Sequence, residues 1–477
     1  MEIKHLTIKE INQGLKNKEF SAKDILEFYI KQIEKKEGEI NAFISTSFDL
    51  ARKQAQEIDQ KIAQGQDLDI LAGVPMAIKD NILVQGLPAT AGSKILKDYQ
   101  ASYDATVVER LRRKGAVILG KLNMDEFAMG SSGEYSSFGK TKNPRDLKRV
   151  PGGSSSGAAA AVAADMCVYA LGSETGGSTR QPASFCGIVG LKPTYGSVSR
   201  YGLMALASSL DQIGVLAKNS SDVKIVFDAI KGIDQKDSTS VESDLVSNNN
   251  FDISKIKIGI PKEYFIEGIE PEVKKAVEEA IDFFKKSGAK IVEISLPNSK
   301  YALACYQILM TAEASSNLAR YDNIRYGNRD FLAKGLKSLE QEYSEFRKEG
   351  FGKEASRRIM LGTYVLSAGY YDAYYLRAQK IRTLIINDFK KAFEEIDLII
   401  TPTAPTTAFE FGQRLKDPVT MYLADIFTSS ANLAGIPGIS IPCHKKDQLP
   451  IGLQIMGDLC QEDKIFRVAE FFEKNNK

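Results

Sequence analysis

Apolar positions change rhythm along this chain. From residue 7 to about 60 they recur every three to four residues. "TIKEINQGLKNKEFSAKDILEFYIKQIEKKEG" sets Ile8, Ile11 and Leu15 on one helical face, then Ile25, Tyr29 and Ile33 on the next. Ser21, followed by Asp24 three positions on, marks a capping-box start for the second helix. From about residue 71 the texture shifts to short apolar runs, "GVPMAIKD" and "GAVILGKLN", with the helical "DATVVERLRRKG" between them. Residues 158–164 form an Ala-rich helical run, "CVYALG" a buried strand and "TGGSTRQPAS" a loop. Further on, "IKIGIP" predicts a strand. Pro271 and Gly288 then bracket a helix whose face carries Val273, Val277, Ala280, Ile281 and Phe284. The strands "DLIITPTAP", "GISIPC" and "PIGLQIMG" follow a mostly helical stretch. Strands alternating with helices predict an α/β core.

The chain has 477 residues, more than one domain of about 100–200 residues usually holds. The pattern divides it into an N-terminal helical segment, 1–65, packed on a core, 66–477, with a mostly helical region around 300–396. The polar stretch 231–252 is expected to be a surface loop, and no tandem repeat is visible. No apolar run reaches the roughly 18 residues that a membrane span needs. "MEIKHLTIKEINQGLK" lacks the apolar centre of a secretory signal. The expectation is a cytoplasmic protein with no membrane partner.

Charge and composition narrow the chemistry. A net charge of +2, from 63 basic and 61 acidic residues, does not suggest a surface that coats nucleic acid. The five cysteines are scattered and form no CxxC pair, which argues against a disulfide framework and against a zinc site. Only two histidines exist, His5 and His444, and both sit in polar, terminal or turn-like surroundings. Two segments approach the phosphate-loop pattern and fail it. "GAVILGKL" ends in Leu122 rather than a hydroxyl, and "GEYSSFGKT" has one residue too many between its glycines.

Two serine chemistries remain. "GSSSG" at 153–157 matches a nucleophile elbow centred on Ser155, but no strand is predicted before it, and His444 is the only histidine after it. The other uses Lys79 as a neutral base. Bringing a lysine from its reference pKa near 10.4 to near 7 costs about 4 kcal/mol. Burial by the run Val74–Ile78 would favour that shift, and a close Asp80 carboxylate would oppose it. Taken alone, this segment is better read as a solvated strand-end lysine.

Three segments together change the weighing: "GVPMAIKDN", "PGGSSSGAAAAVAA" and "GSETGGSTRQPASFCGIVGLKPTYGSVSRYGL". In order and spacing they resemble the amidase signature family, and the resemblance runs through nearly the whole chain. It extends to "MDEFAMGSS", "EASSNLARYD", "RRIMLGTYVLSAGYYDAYYLRAQKIR", "DPVTMYLADIFT" and "ANLAGIPGISIP". These later segments are similar to one branch, the glutamine-hydrolysing subunits of glutamyl-tRNA(Gln) amidotransferases. The resemblance implies an α/β fold with a large mixed sheet covered by helices on both faces. It implies a Ser-Ser-Lys triad. Ser178 would attack a carboxamide and form an acyl-enzyme, and Ser154, preceded by a cis peptide bond, would relay the proton to Lys79. The N–H groups of Thr175, Gly176, Gly177 and Ser178 would form the oxyanion hole. Arg358 would hold the glutamine carboxylate and Asp425 its ammonium, with Ser131 lining the same pocket. From spacing alone Arg358 and Asp425 are ordinary helix-surface charges.

The family also implies a division of labour. Ammonia from glutamine would convert Glu-tRNA(Gln) to Gln-tRNA(Gln). A B subunit would bind ATP, Mg²⁺ and the tRNA, beside a small C subunit, so this chain itself would carry no cofactor and no metal. The alternative is a stand-alone amidase acting on other carboxamides. Two departures stand out. Ser156 replaces a common glycine, which would crowd the loop if its φ were positive, and Tyr306-Gln307 stands where relatives often have two tyrosines.

Overall fold

The computed structural model describes residues 5–242, 251–265, 267–327, 338–415, 417–445 and 447–476. Eleven strands among them join one sheet. They are β1 Phe43–Thr46, β2 Pro75–Lys79, β3 Val117–Leu122, β4 Tyr169–Glu174, β5 Val189–Lys192, β6 Gln212–Ala217, β7 Lys257–Pro261, β8 Lys290–Ile294, β9 Leu398–Pro402, β10 Gly438–Pro442 and β11 Gly452–Gly457. Their spatial order is β1-β3-β2-β4-β6-β5-β10-β11-β9-β7-β8. The sheet is mixed: β2 runs parallel to β3 and β4, and β7 runs parallel to β8 and β9. The pairs between β4 and β9 are antiparallel.

Alternating side chains feed a separate core on each face. Leu398, Ile400 and Ile455 join one apolar cluster, while Ile399 and Met456 join the other. The first cluster continues into the helices Ile8–Lys16 and Ala22–Ile40 through Ile11, Ile25 and Tyr29. The second continues into Ala302–Asn317 and Arg377–Phe393 through Leu309, Met310, Ile385 and Phe389. Helices therefore cover both faces. No helix among the described residues is long and apolar enough to cross a membrane.

Most of the predicted elements are present. The capping box forms, with Ser21 Oγ accepting from Asp24 N–H at 3.0 Å and Ser21 N–H donating to Asp24 Oδ2 at 2.9 Å. Three strands escape the apolar pattern. β1 lies within the stretch that reads as helical. Asn41 adopts a left-handed conformation, φ 56°, ends the preceding helix and turns "FIST" onto the edge of β3. β5 and β6 are each interrupted by a glycine, Gly190 and Gly214, where a Cβ would strike neighbouring atoms at 2.6 Å and 2.5 Å, so no continuous apolar run marks them. Of the polar stretch 231–252, residues 243–250 lie outside the described residues, and 231–242 form turns.

Two features of this topology build the site. β2 and β4 are parallel neighbours, with Ile78 opposite Leu171, so their C-terminal ends emerge side by side. The helix Ser156–Ala163 then lies against the backbone beside them. Gly157 permits the approach, because a Cβ there would stand 2.3 Å from Ala42 O and 2.6 Å from Asn123 N. Gly157→Ala is expected to push the helix off the backbone and to lower stability by about 1–3 kcal/mol. A urea midpoint unchanged from wild type would refute that packing.

Candidate active site

Lys79 is the last residue of β2, a strand buried along its whole length between β3 and β4. Its Nζ meets three oxygens: Ser154 Oγ at 2.7 Å, Ser155 Oγ at 2.9 Å and the Ser173 carbonyl at 3.2 Å. A neutral amine offers two N–H donors and one lone pair. The Ser173 carbonyl can only accept, and Ser155 Oγ donates its own proton to that same carbonyl at 3.0 Å. Both therefore accept from Lys79, and the lone pair is left for the Ser154 hydroxyl. Asp80, the neighbour in sequence, does not interfere. It pairs with Lys121 at 3.5 Å and accepts from Thr90 N–H at 2.8 Å. Among the described residues no carboxylate forms an ion pair with Lys79. Burial pulls the lysine pKa down to about 7, against the opposing pull of Asp125, Asp211 and Glu174. The solvated-lysine reading is overturned, because Lys79 is wholly buried.

Ser154 follows a cis peptide bond from Gly153. The turn is packed against Asp125, whose carboxylate accepts from Gly133 and Tyr135 N–H, each at 3.0 Å. A Cβ at Gly153 would lie 2.1 Å from Asp125 Oδ2. Gln181 bridges two loops, accepting from Gly153 N–H at 3.0 Å and donating to Ser131 O at 2.9 Å. Ser155 is fully buried and engaged by Lys79 and Ser173, with no histidine beside it, so the nucleophile-elbow reading does not fit. Ser156 opens the helix and is absent from the positive-φ residues, so the crowding expected of its Cβ does not arise.

Ser178 lies on the loop leaving β4. Ser155 N–H donates to the Ser178 carbonyl at 3.1 Å, which ties the two serine loops together. The Ser178 hydroxyl has no hydrogen-bond partner among the described residues, so the Lys79–Ser154 half of the relay is formed and the Ser154–Ser178 half is joined through backbone. The N–H groups of Thr175, Gly176, Gly177 and Ser178 likewise meet no acceptor among the described residues. They form an open row of donors, suited to a developing oxyanion. The loop is held from behind. Thr428 Oγ1 donates to Gly176 O at 2.7 Å, and Glu174 accepts from Thr179 and Arg180 N–H at 3.0 and 3.1 Å. A Cβ at Gly176 would stand 2.5 Å from the Tyr306 ring, and one at Gly177 would stand 2.6 Å from Asp425 Oδ1.

Asp425 and Arg358 are not surface charges. They are 7% and 3% exposed, respectively. Ser131 Oγ donates to Asp425 Oδ2, and Asp425 Oδ1 is buried without a partner. Burial raises this carboxyl to about 7, with the Ser131 hydrogen bond opposing the shift. Arg358 comes from the helix Lys353–Val365, donates from Nε to Glu354 at 2.7 Å and stacks 5.1 Å from the Tyr422 ring centroid. The loop of Ser178 thus has a buried, half-satisfied carboxylate directly behind Gly177. Sequence reasoning weighed Ser155 only as a rival nucleophile and Tyr306 only as part of a departure from relatives, and it missed Asp125 and Asp211. "MDEFAMGSS" carried a signal for Asp125, whereas Asp211 had none beyond being an acid beside an apolar run.

Known proteins resemble this chain from end to end. The family model described as Amidase matches residues 24–466. The chain is 55% identical to the A subunit of the glutamyl-tRNA(Gln) amidotransferase from Carboxydothermus hydrogenoformans, over 100% of its own length and 98% of the relative's. Among solved structures it is similar to the A subunit of the glutamyl-tRNA(Gln) amidotransferase from Thermotoga maritima, at 41% identity and a TM-score of 0.81, covering 100% of this chain and 96% of that one. The peptide amidase of Stenotrophomonas maltophilia is 27% identical with a TM-score of 0.81, over 100% and 98% of the two chains. With a buried Lys79–Ser154 pair beside a loop of free N–H donors, and a family match over almost its entire length, the chain belongs to the amidase family.

Proposed function

We propose that this chain is the glutamine-hydrolysing subunit of a glutamyl-tRNA(Gln) amidotransferase. The observation that carries the reading is the buried, half-satisfied Asp425 directly behind Gly177, with the buried Arg358 guanidinium near enough to act on its charge. A simple amide has no use for either, whereas free glutamine presents a carboxylate for the Arg358 guanidinium and an ammonium for the unpartnered Asp425 oxygen. The end-to-end likeness to the two amidotransferase relatives supports the same reading.

The Lys79–Ser154 hydrogen bond and the open N–H row support one sequence of steps. Ser178 Oγ attacks the glutamine carboxamide carbon. Its proton passes to Ser154 Oγ as the Ser154 proton passes to the lone pair of Lys79. The carbonyl electrons move to oxygen, where the N–H groups of residues 175–178 receive them. Collapse of this intermediate breaks the C–N bond. Lys79 returns its proton through Ser154 to the leaving nitrogen, which departs as ammonia. Water then enters by the same relay, cleaves the Ser178 ester and releases glutamate. The ammonia is consumed on a partner protein that binds ATP, Mg²⁺ and Glu-tRNA(Gln), and a small third chain completes the assembly.

Three outcomes test this reading in the chain co-expressed with its partners. Ser178→Ala should lower ammonia release from glutamine by about 10³-fold or more. Release that persists in the variant would refute Ser178 as nucleophile. Arg358→Ala should lower kcat/KM for glutamine by about 10²-fold or more and change turnover of propionamide by less than about threefold. Equal losses on both substrates would refute the pocket assignment. The pH profile should fall on the acid side for two reasons. Below about 7 Lys79 gains a proton and ceases to be a base, and Asp425 gains one and loses its charge. The slope of log kcat/KM against pH should therefore approach 2 with glutamine and 1 with propionamide, and a profile flat down to pH 5 would refute the lysine base.

A further inference from the structure

The open N–H row of residues 175–178 poses a physical question: what keeps these donors aimed outward? A glycine pair offers little stiffness of its own. Contacts behind Gly176 and Gly177 limit retreat, but they do not fix rotation of the first peptide. One buried group holds the Thr175 side chain. Thr175 Oγ1 donates to Asp211 Oδ1 at 2.7 Å. The other oxygen, Asp211 Oδ2, accepts from Leu206 N–H at 2.8 Å and Ala207 N–H at 3.0 Å. Asp211 stands immediately before β6, whose first residue, Gln212, pairs with Glu174 at the end of β4. The carboxylate is therefore anchored by the sheet directly across from the point where the loop leaves it. Asp211 is 5% exposed, and the loop it grips begins the row of donors.

We propose that Asp211 is a positioning residue that acts through Thr175 to hold the oxyanion loop in its receiving conformation. This rests on the reading of residues 175–178 as the oxyanion hole. Asp211 uses one oxygen on the catalytic loop and the other on two backbone N–H groups of the 206–207 turn, so it clamps two segments that no covalent link brings together. A carboxylate suits the task because it only accepts, and all three facing groups donate. An asparagine of the same shape has one accepting oxygen and one donating NH₂. With its oxygen toward the 206–207 N–H pair, its NH₂ donates to a Thr175 hydroxyl that rotates to accept, so asparagine preserves the link and alanine is the substitution that removes it. In Asp211→Ala the loop loses its grip on the sheet without losing a donor or a pocket residue. Transition-state stabilisation should suffer and ground-state binding should not.

The experiment compares wild type, Asp211→Ala, Thr175→Val and the double variant in the co-expressed complex, with glutamine and with propionamide as substrates and with thermal midpoints recorded in parallel. Each single variant should lower kcat by about 10- to 100-fold, somewhat less than removal of an oxyanion donor itself. KM for glutamine should stay within about twofold, since Arg358 and Asp425 are untouched. The double variant should be no slower than the slower single one, because both remove the same link. Unchanged kcat in Asp211→Ala, multiplying losses in the double variant, or a rise in KM matching the loss in kcat would each overturn the proposal. If Asp211→Ala fails to fold, Thr175→Val, which keeps the carboxylate and its turn contacts, decides the matter by the same split of kcat from KM. Wild type that turns over propionamide but not glutamine would overturn the glutaminase reading and leave the Asp211 comparison to be decided on propionamide. Turnover of neither substrate would overturn both.

Discussion

The site depends on a lysine buried without a counter-ion. An ammonium in that position would face heavy desolvation with nothing of opposite charge in contact, and so the neutral amine is favoured. The Lys79 pKa falls to about 7 because of where β2 ends, between two other strands and beneath the helix Ser156–Ala163. The three oxygens around Nζ match a neutral amine in number and polarity. Strand alternation helps by sending the adjacent Asp80 to Lys121. The pairing of those two charges elsewhere protects the base from a carboxylate that would raise its pKa.

Around this centre the protein spends buried polar groups on orientation. Arg180 and Glu174 form a fully buried ion pair, and the Arg180 guanidinium also bonds Gln454, Asn432 and the Thr428 carbonyl. Gln454 donates to Thr401 Oγ1 and Phe427 O. The loop after β4 is thereby fastened to β9, β11 and the segment that carries Asp425. Buried ion pairs contribute little net stability after desolvation. Their value here is geometric, since they hold the nucleophile loop at fixed distance from residues that lie far away in sequence.

Small residues allow what the polar groups direct. Gly153, Gly157, Gly176 and Gly177 each stand where a Cβ would meet another atom at 2.6 Å or less. Three of the four partners are polar atoms and the fourth is the Tyr306 ring, so backbone approaches the catalytic machinery at close range on every side. The Gly/Ser/Ala-rich composition that suggests a linker is the composition that such packing requires.

Periodicity, capping signals and short apolar runs determined the helices at the N-terminus, most of the strands and the α/β class, because these are local consequences of burying one face of an element. The proposed triad residues Lys79, Ser154 and Ser178 were singled out through motif order. Strands β1, β5 and β6 were not, since they are short or broken by glycine and owe their pairing to partners distant in sequence. Tertiary structure alone decided how far burial lowers the Lys79 pKa. It also decided that Arg358 and Asp425 are buried rather than exposed, and that Asp211 grips Thr175. Charge, burial and hydrogen-bond partners at these positions are properties of the surroundings, and a residue's type and spacing do not contain its surroundings.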